Sequence, residues 1–146
     1  DFCLSRGLGD VYKRQVFEQS DIISIHAPEL PSTYHIVNEA SIASMKDGVI
    51  LINTARGTAI DEQALAKALL SGKIKTACLD VYDPEPPCAD NPLLKLDNCI
   101  MTPHIAGQAA NGLQRIGYNC YCQLLHFLAG ERMQGEITRD MLNHIA

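Results

Sequence analysis

The chain has 146 residues, 47% of them hydrophobic and 20% charged, with a formal net charge of -5. That length allows one compact domain with a real core. The acidic balance speaks against nucleic acid or an anionic membrane as partner, because both select a basic surface. No apolar run approaches the roughly 20 residues of a membrane span, and no basic stretch followed by an apolar one suggests a secretory signal. Six cysteines, at positions 3, 78, 88, 99, 120 and 122, form neither a Cys-x-x-Cys pair nor a Cys/His set with zinc spacing. No metal site is expected. A reduced, cytoplasmic setting is. Cys78 and Cys99 sit in apolar runs and read as buried small hydrophobes.

Residues 1–15, DFCLSRGLGDVYKRQ, show neither helical nor strand periodicity and read as a foreign or disordered leader. Gly7 and Gly9 lack the third glycine and the preceding strand that a dinucleotide loop requires. Residues 16–146 read as one domain. Asp21 to His26 is an apolar strand stopped by Pro28 and Pro31. Asn38 caps a short helix to Lys46, with Ile42 and Met45 on its inner face. Val49 to Asn53 is a continuous apolar run, expected to be a strand buried on both faces of a parallel sheet.

Asp61 caps a helix to about Leu70, and Ser71-Gly72 stops it. Thr76 to Val81 is the next strand, followed by the proline-rich loop Asp83-Pro84-Glu85-Pro86-Pro87. Asn98 to Met101 is a further short strand. A long helix runs from about Gln108 to Ala129. Leu113, Ile116, Cys120, Leu124 and Phe127 recur on it at helical spacing, which predicts a core or subunit-interface face. This alternation predicts an α/β fold: a partial Rossmann-like parallel sheet with flanking helices, ending in a long helix.

Ligands of open α/β sheets bind at the carboxyl ends of the strands, so the polar residues just past each strand are the candidates. His26-Ala27-Pro28 follow the first strand and Thr54-Ala55-Arg56-Gly57 the second. Asp80 ends the third, with Glu85 in the loop beyond. Thr102-Pro103-His104 follow the fourth, with Gly107 close behind. An arginine grips a carboxylate with a rigid fork of donors and can polarise a carbonyl. An imidazole titrates near neutral pH and can pass a proton. A carboxylate beside it fixes its tautomer and favours its protonated form. Together these suit reduction of a 2-keto acid, with Arg56 holding the substrate, His104 protonating the new alkoxide and Glu85 supporting His104. The hydride has to come from a cofactor. His26, His35, His126 and His144 are read as structural.

Three stretches carry a family resemblance: Asn53-Thr54-Ala55-Arg56-Gly57, Leu79-Asp80-Val81-Tyr82-Asp83-Pro84-Glu85-Pro86, and Thr102-Pro103-His104-Ile105-Ala106-Gly107. In order and separation they resemble the signature stretches of the D-isomer-specific 2-hydroxyacid dehydrogenases. The resemblance runs from about Val16 to the end of the long helix. It implies catalytic roles for Arg56, Glu85 and His104. It also implies NAD contacts, or NADP as the alternative, at Ala27, Pro28, Thr33, Thr54, Ala55, Arg56, Asp80, His104 and Gly107. In this scheme Asp80 meets the nicotinamide carboxamide and Thr33 lies near the pyrophosphate.

The substrate implied is a small 2-hydroxy or 2-keto acid of the glycerate/hydroxypyruvate, lactate or phosphoglycerate type, and the full-length parent is expected to be a homodimer. The family's Gly-x-Gly-x-x-Gly loop, the acidic residue that reads the adenosine ribose and most of the substrate domain do not occur in this sequence. The fragment alone is therefore expected to bind cofactor weakly and to turn over little. Two further readings stand beside the oxidoreductase: an NADH-responsive co-repressor-like binding protein, since relatives of that kind keep the same triad, and an inactive partial product.

Overall fold

The computed structural model describes residues 8–108, 112–139 and 141. The chain divides into two compact units, Asp1–Pro103 and His104–Ala146. The first holds α1 (Leu8–Gln19), β1 (Ile22–Ile25), α2 (Glu39–Ser44), β2 (Val49–Asn53), α3 (Glu62–Ser71), β3 (Ile74–Leu79) and β4 (Cys99–Met101), with 3-10 turns at Gly57–Ala59 and Pro92–Lys95. The second holds α4 (Gly112–Leu128).

The four strands form one parallel sheet in the order β1-β2-β3-β4. Each crossover steps the same way along the sheet. Crossovers of a single hand then deliver their helices to a single face, and burial follows that rule. Ile23, Ile25, Val49, Leu51, Ala77 and Leu79 join Ile42, Leu65, Leu69 and Leu93 in one buried core. On the opposite face Ile50, Ile52 and Cys78 are half-buried, while Ile22 and Ile100 are 60% and 56% exposed. The expectation that Val49–Asn53 is buried on both faces is therefore corrected: its burial alternates, and only the helix-covered side is closed. The apolar run encodes two faces, and the first unit supplies a layer for one of them.

Local chemistry sets the helix ends. Asn38 accepts from Ser41 N at 3.0 Å while Ser41 Oγ accepts from Asn38 N at 2.8 Å, a reciprocal cap for α2. Asp61 accepts from Gln63 N and Ala64 N, and Gly72 ends α3 in the left-handed region at φ 75°. Ile74 is fully buried opposite Val49, so β3 starts two residues before the Thr76 expected from sequence and ends before Asp80.

Two further observations bear on the sequence reading. Residues 8–15, read as part of a leader, form most of α1, which contacts α2 and seats Phe17 against the core; residues 1–7 lie outside the described residues. On α4, Leu113, Ile116, Cys120, Leu124 and Phe127 are all exposed, and the helix buries no residue. Cys78 and Cys99 are half-buried rather than fully buried.

Burial, with smaller contributions from Cys78 and Glu62, pushes the Cys99 thiol up to about 11. At pH 8 this leaves about a hundredfold less thiolate than at a thiol of ordinary pKa. Thiol labelling of the native chain at pH 8 is expected to modify the exposed Cys88 and Cys120 quickly and Cys99 at least tenfold more slowly. Equal rates at Cys99 and Cys88 would contradict the packing of β4 described here.

Candidate active site

The rim at the carboxyl ends of the strands begins with Asn53, the last residue of β2. It is fully buried, a costly place for an amide unless both of its ends are bonded. Both are: Nδ2 donates to Arg56 O at 2.8 Å, and Oδ1 accepts from Ala55 N at 3.0 Å. The side chain thus closes the Thr54–Arg56 segment into a tight bend and brings it out at the rim. Arg56 itself is half-exposed. Its Nη1 donates to Ala55 O at 2.8 Å, and its Nε lies 3.8 Å from Glu29 Oε2 in the loop after β1.

Gly57 follows, buried against the backbone of Tyr82. A Cβ on residue 57 would lie 2.0 Å from the Tyr82 carbonyl carbon and oxygen, so only glycine allows this approach. Tyr82 is held in turn: its hydroxyl lies 2.6 Å from Thr102 O and 2.9 Å from Leu79 O. Burial raises the pKa of that hydroxyl, which keeps it a neutral donor throughout the physiological range.

Asp80, 3% exposed, receives the Thr102 hydroxyl at 2.5 Å, and its N–H donates to Asn53 O at 2.9 Å. One hydrogen-bonded set therefore ties together the ends of β2, β3 and β4.

The loop carrying Glu85 is anchored from below. Glu62, in the first turn of α3, accepts from Asp83 N at 3.1 Å and from Asn91 Nδ2 at 2.5 Å, so one carboxylate ties the start of the proline-rich loop to Asn91, where the segment 83–91 ends. Glu85, Tyr82, Pro86, Pro87 and Pro103 line a small groove of about 240 Å³. In the loop after β1, Thr33 Oγ1 donates toward Pro28 O (2.5 Å) and Leu30 O (3.0 Å) and accepts from Leu30 N at 2.9 Å. Ala27 and Pro28 are half-buried beside it, and Thr54 is exposed. His104 and Gly107 open the second unit and are exposed; His104 is in the left-handed region at φ 52°, an uncommon conformation for a residue with a side chain. Among the described residues no group of three or more His, Cys, Asp or Glu could hold a metal ion.

The residues that build the rim carry no role in the sequence reading. Asn53, Gly57, Tyr82 and Thr102 stand within the motifs without an assigned role, and Glu29 and Glu62 were not singled out. One signal was available: an asparagine closing an apolar strand is a poor strand former that turns readily.

Gly57→Ala is expected to destabilise the first unit by about 1–3 kcal/mol or more, because a backbone has to move; a urea midpoint equal to that of the native chain would refute the close approach to Tyr82. Asn53→Ala is expected to cost about 1–3 kcal/mol through lost and unsatisfied hydrogen bonds, with faster amide exchange at Ala55 as the specific signature.

Comparison with known proteins gives consistent relatives. The chain is 51% identical over 104 residues to the hydroxypyruvate reductase of Thermotoga maritima, covering 70% of this chain and 34% of that protein. It is 41% identical over 127 residues to the glyoxylate reductase of Thermofilum pendens, covering 87% and 38%. The crystal structure of the D-isomer specific 2-hydroxyacid dehydrogenase of Lactobacillus delbrueckii ssp. bulgaricus, in its NAD-complexed form, superimposes with a TM-score of 0.77 at 31% identity, over 86% of this chain and 42% of that one. The chain thus spans 34–42% of the length of these relatives. The family description "D-isomer specific 2-hydroxyacid dehydrogenase, NAD binding domain" matches residues 5–106, and the chain belongs to that family.

Proposed function

We propose that this chain is the carboxyl-terminal part of the NAD-binding domain of an oxidoreductase that moves a hydride between a nicotinamide cofactor and a small D-2-hydroxyacid or its 2-keto acid. The observation that carries the reading is the placement of Arg56. A bend clamped by the buried Asn53 presents its guanidinium at the carboxyl rim of a parallel sheet, where open α/β folds bind their ligands.

The rim fits the nicotinamide end of such a cofactor. The buried Asp80 carboxylate, aligned by Thr102, is a hydrogen-bond acceptor suited to a carboxamide. Thr54, Ala55, Ala27 and Pro28 offer the small polar and apolar surface that ligand pockets use. Thr33 already spends its hydroxyl within its own loop, so that loop would meet a pyrophosphate through its backbone. NAD is the cofactor of this reading and NADP the alternative. When bound, the cofactor supplies or accepts the hydride, and the chain's own residues do the rest.

Arg56 binds the substrate carboxylate and withdraws charge from the carbonyl, where negative charge develops. His104 gives its proton to the forming alkoxide in reduction and takes one in oxidation. Glu85 favours the protonated imidazole. The substrate class is glyoxylate-, hydroxypyruvate-, lactate- or phosphoglycerate-like. A cytoplasmic homodimer is the assembly expected of the full-length parent, and the exposed apolar positions of α4 are consistent with an interface there. Among the described residues no helix is long and apolar enough to cross a membrane.

Arg56→Gln in the full-length protein is expected to lower kcat/KM for the keto acid about 10²–10³-fold. Unchanged kcat/KM in that variant would remove Arg56 from the chemistry. The 146-residue chain alone is expected to oxidise NADH no faster in the presence of glyoxylate or hydroxypyruvate than in their absence.

A further inference from the structure

The partner of Arg56 is itself a carboxylate. Glu29 Oε2 lies 3.8 Å from Arg56 Nε, and the two side chains are about equally exposed, at 53% and 47%. Both backbones are fixed independently. Thr33 ties Pro28 O and Leu30 O on either side of Glu29, while Asn53 holds Ala55 N and Arg56 O on either side of the guanidinium's attachment. The pairing is thus built into two clamped loops at neighbouring strand ends.

We infer that Glu29 is a specificity-determining residue: its carboxylate shares Arg56 with the incoming substrate and biases the site toward substrates with a single negative charge. The inference rests on Arg56 being the carboxylate-binding group proposed above.

The physical argument has two parts. A guanidinium has five N–H donors. Here Ala55 O occupies one, and the Glu29 carboxylate lies beside Nε, so the remaining edge can grip one more carboxylate. A substrate that brings one charge replaces part of the interaction Arg56 already has. A second anionic group on the substrate adds negative charge to a site that already holds Glu29, and like charges disfavour each other. Both side chains reach solvent, so the discrimination is modest and weakens with salt. Monoanionic keto acids such as glyoxylate and hydroxypyruvate fit this site. Substrates bearing an additional phosphate fit it poorly.

The test uses the 146-residue chain and two inert probes of nearly the same shape that differ by one charge: oxamate, a monoanion, and oxalate, a dianion. Dissociation constants are read by NMR titration at low ionic strength, with the Arg56 Nε–Hε resonance as a local reporter. The native chain is expected to prefer oxamate. Glu29→Gln is expected to tighten oxalate about five- to tenfold and oxamate no more than about twofold, and to shift the Arg56 Nε–Hε resonance before any probe is added.

Equal effects of Glu29→Gln on the two probes overturn the inference. So does an unmoved Arg56 resonance, or a failure of both the native chain and the variant to bind either probe. Arg56→Gln separates this from the underlying reading: loss of both probes supports Arg56 as the carboxylate-binding group whatever Glu29 does, whereas unchanged binding of both sinks that reading itself.

Discussion

The site depends on one buried amide. Asn53 ends β2 fully enclosed, and its side chain satisfies a backbone carbonyl and a backbone N–H that the departing chain would otherwise leave unpaired. Its own carbonyl receives the N–H of Asp80. The strand can therefore stop inside the core and turn sharply without orphaning polar groups. The position of Arg56 and the close approach of Gly57 to Tyr82 follow from that turn. An aliphatic residue of similar size would fill the space and leave the bend without a clamp.

The layer arrangement explains why the rim forms in a chain this short. Four parallel strands with crossovers of one hand need only one covering layer to bury Ile23, Leu51, Ala77 and Leu79. That layer comes from α2, α3 and the turn at 92–95, all local in sequence. Parallel sheets are ordinarily covered on both faces, and the half-buried Ile50, Ile52 and Cys78 mark the face that this unit leaves without a full layer. The carboxyl rim and the uncovered face are separate features of the sheet, so the first can form without a layer on the second.

Much of this was legible in the sequence, for identifiable reasons. Caps and stops at Asn38, Asp61 and Gly72 are local chemistry, and each operates as its residue type predicts. Apolar runs located all four strands, because β-branched and aliphatic clusters between turn residues have few other uses. Burial was less legible. The stripe on α4 has helical spacing, but spacing states which residues share a face and says nothing about what covers it. The same holds for Val49–Asn53, whose composition suits two covered faces. The bracing residues were hidden because their partners are distant in sequence: Tyr82 with Thr102, and Glu62 with Asp83 and Asn91. Glu29 carried no signal, since a glutamate in a loop is ordinarily solvated.

Glu62 has a consequence for motion. It belongs to the first turn of α3, which takes no part in the rim, yet its two oxygens hold both ends of the segment carrying Glu85. Fraying of that helical turn and release of the proline-rich loop are then one event. In amide exchange they are expected to open as a single cooperative unit, less protected than the sheet. The order of the segment carrying Glu85 is thereby tied to the N-terminal stability of a helix that lies outside the rim.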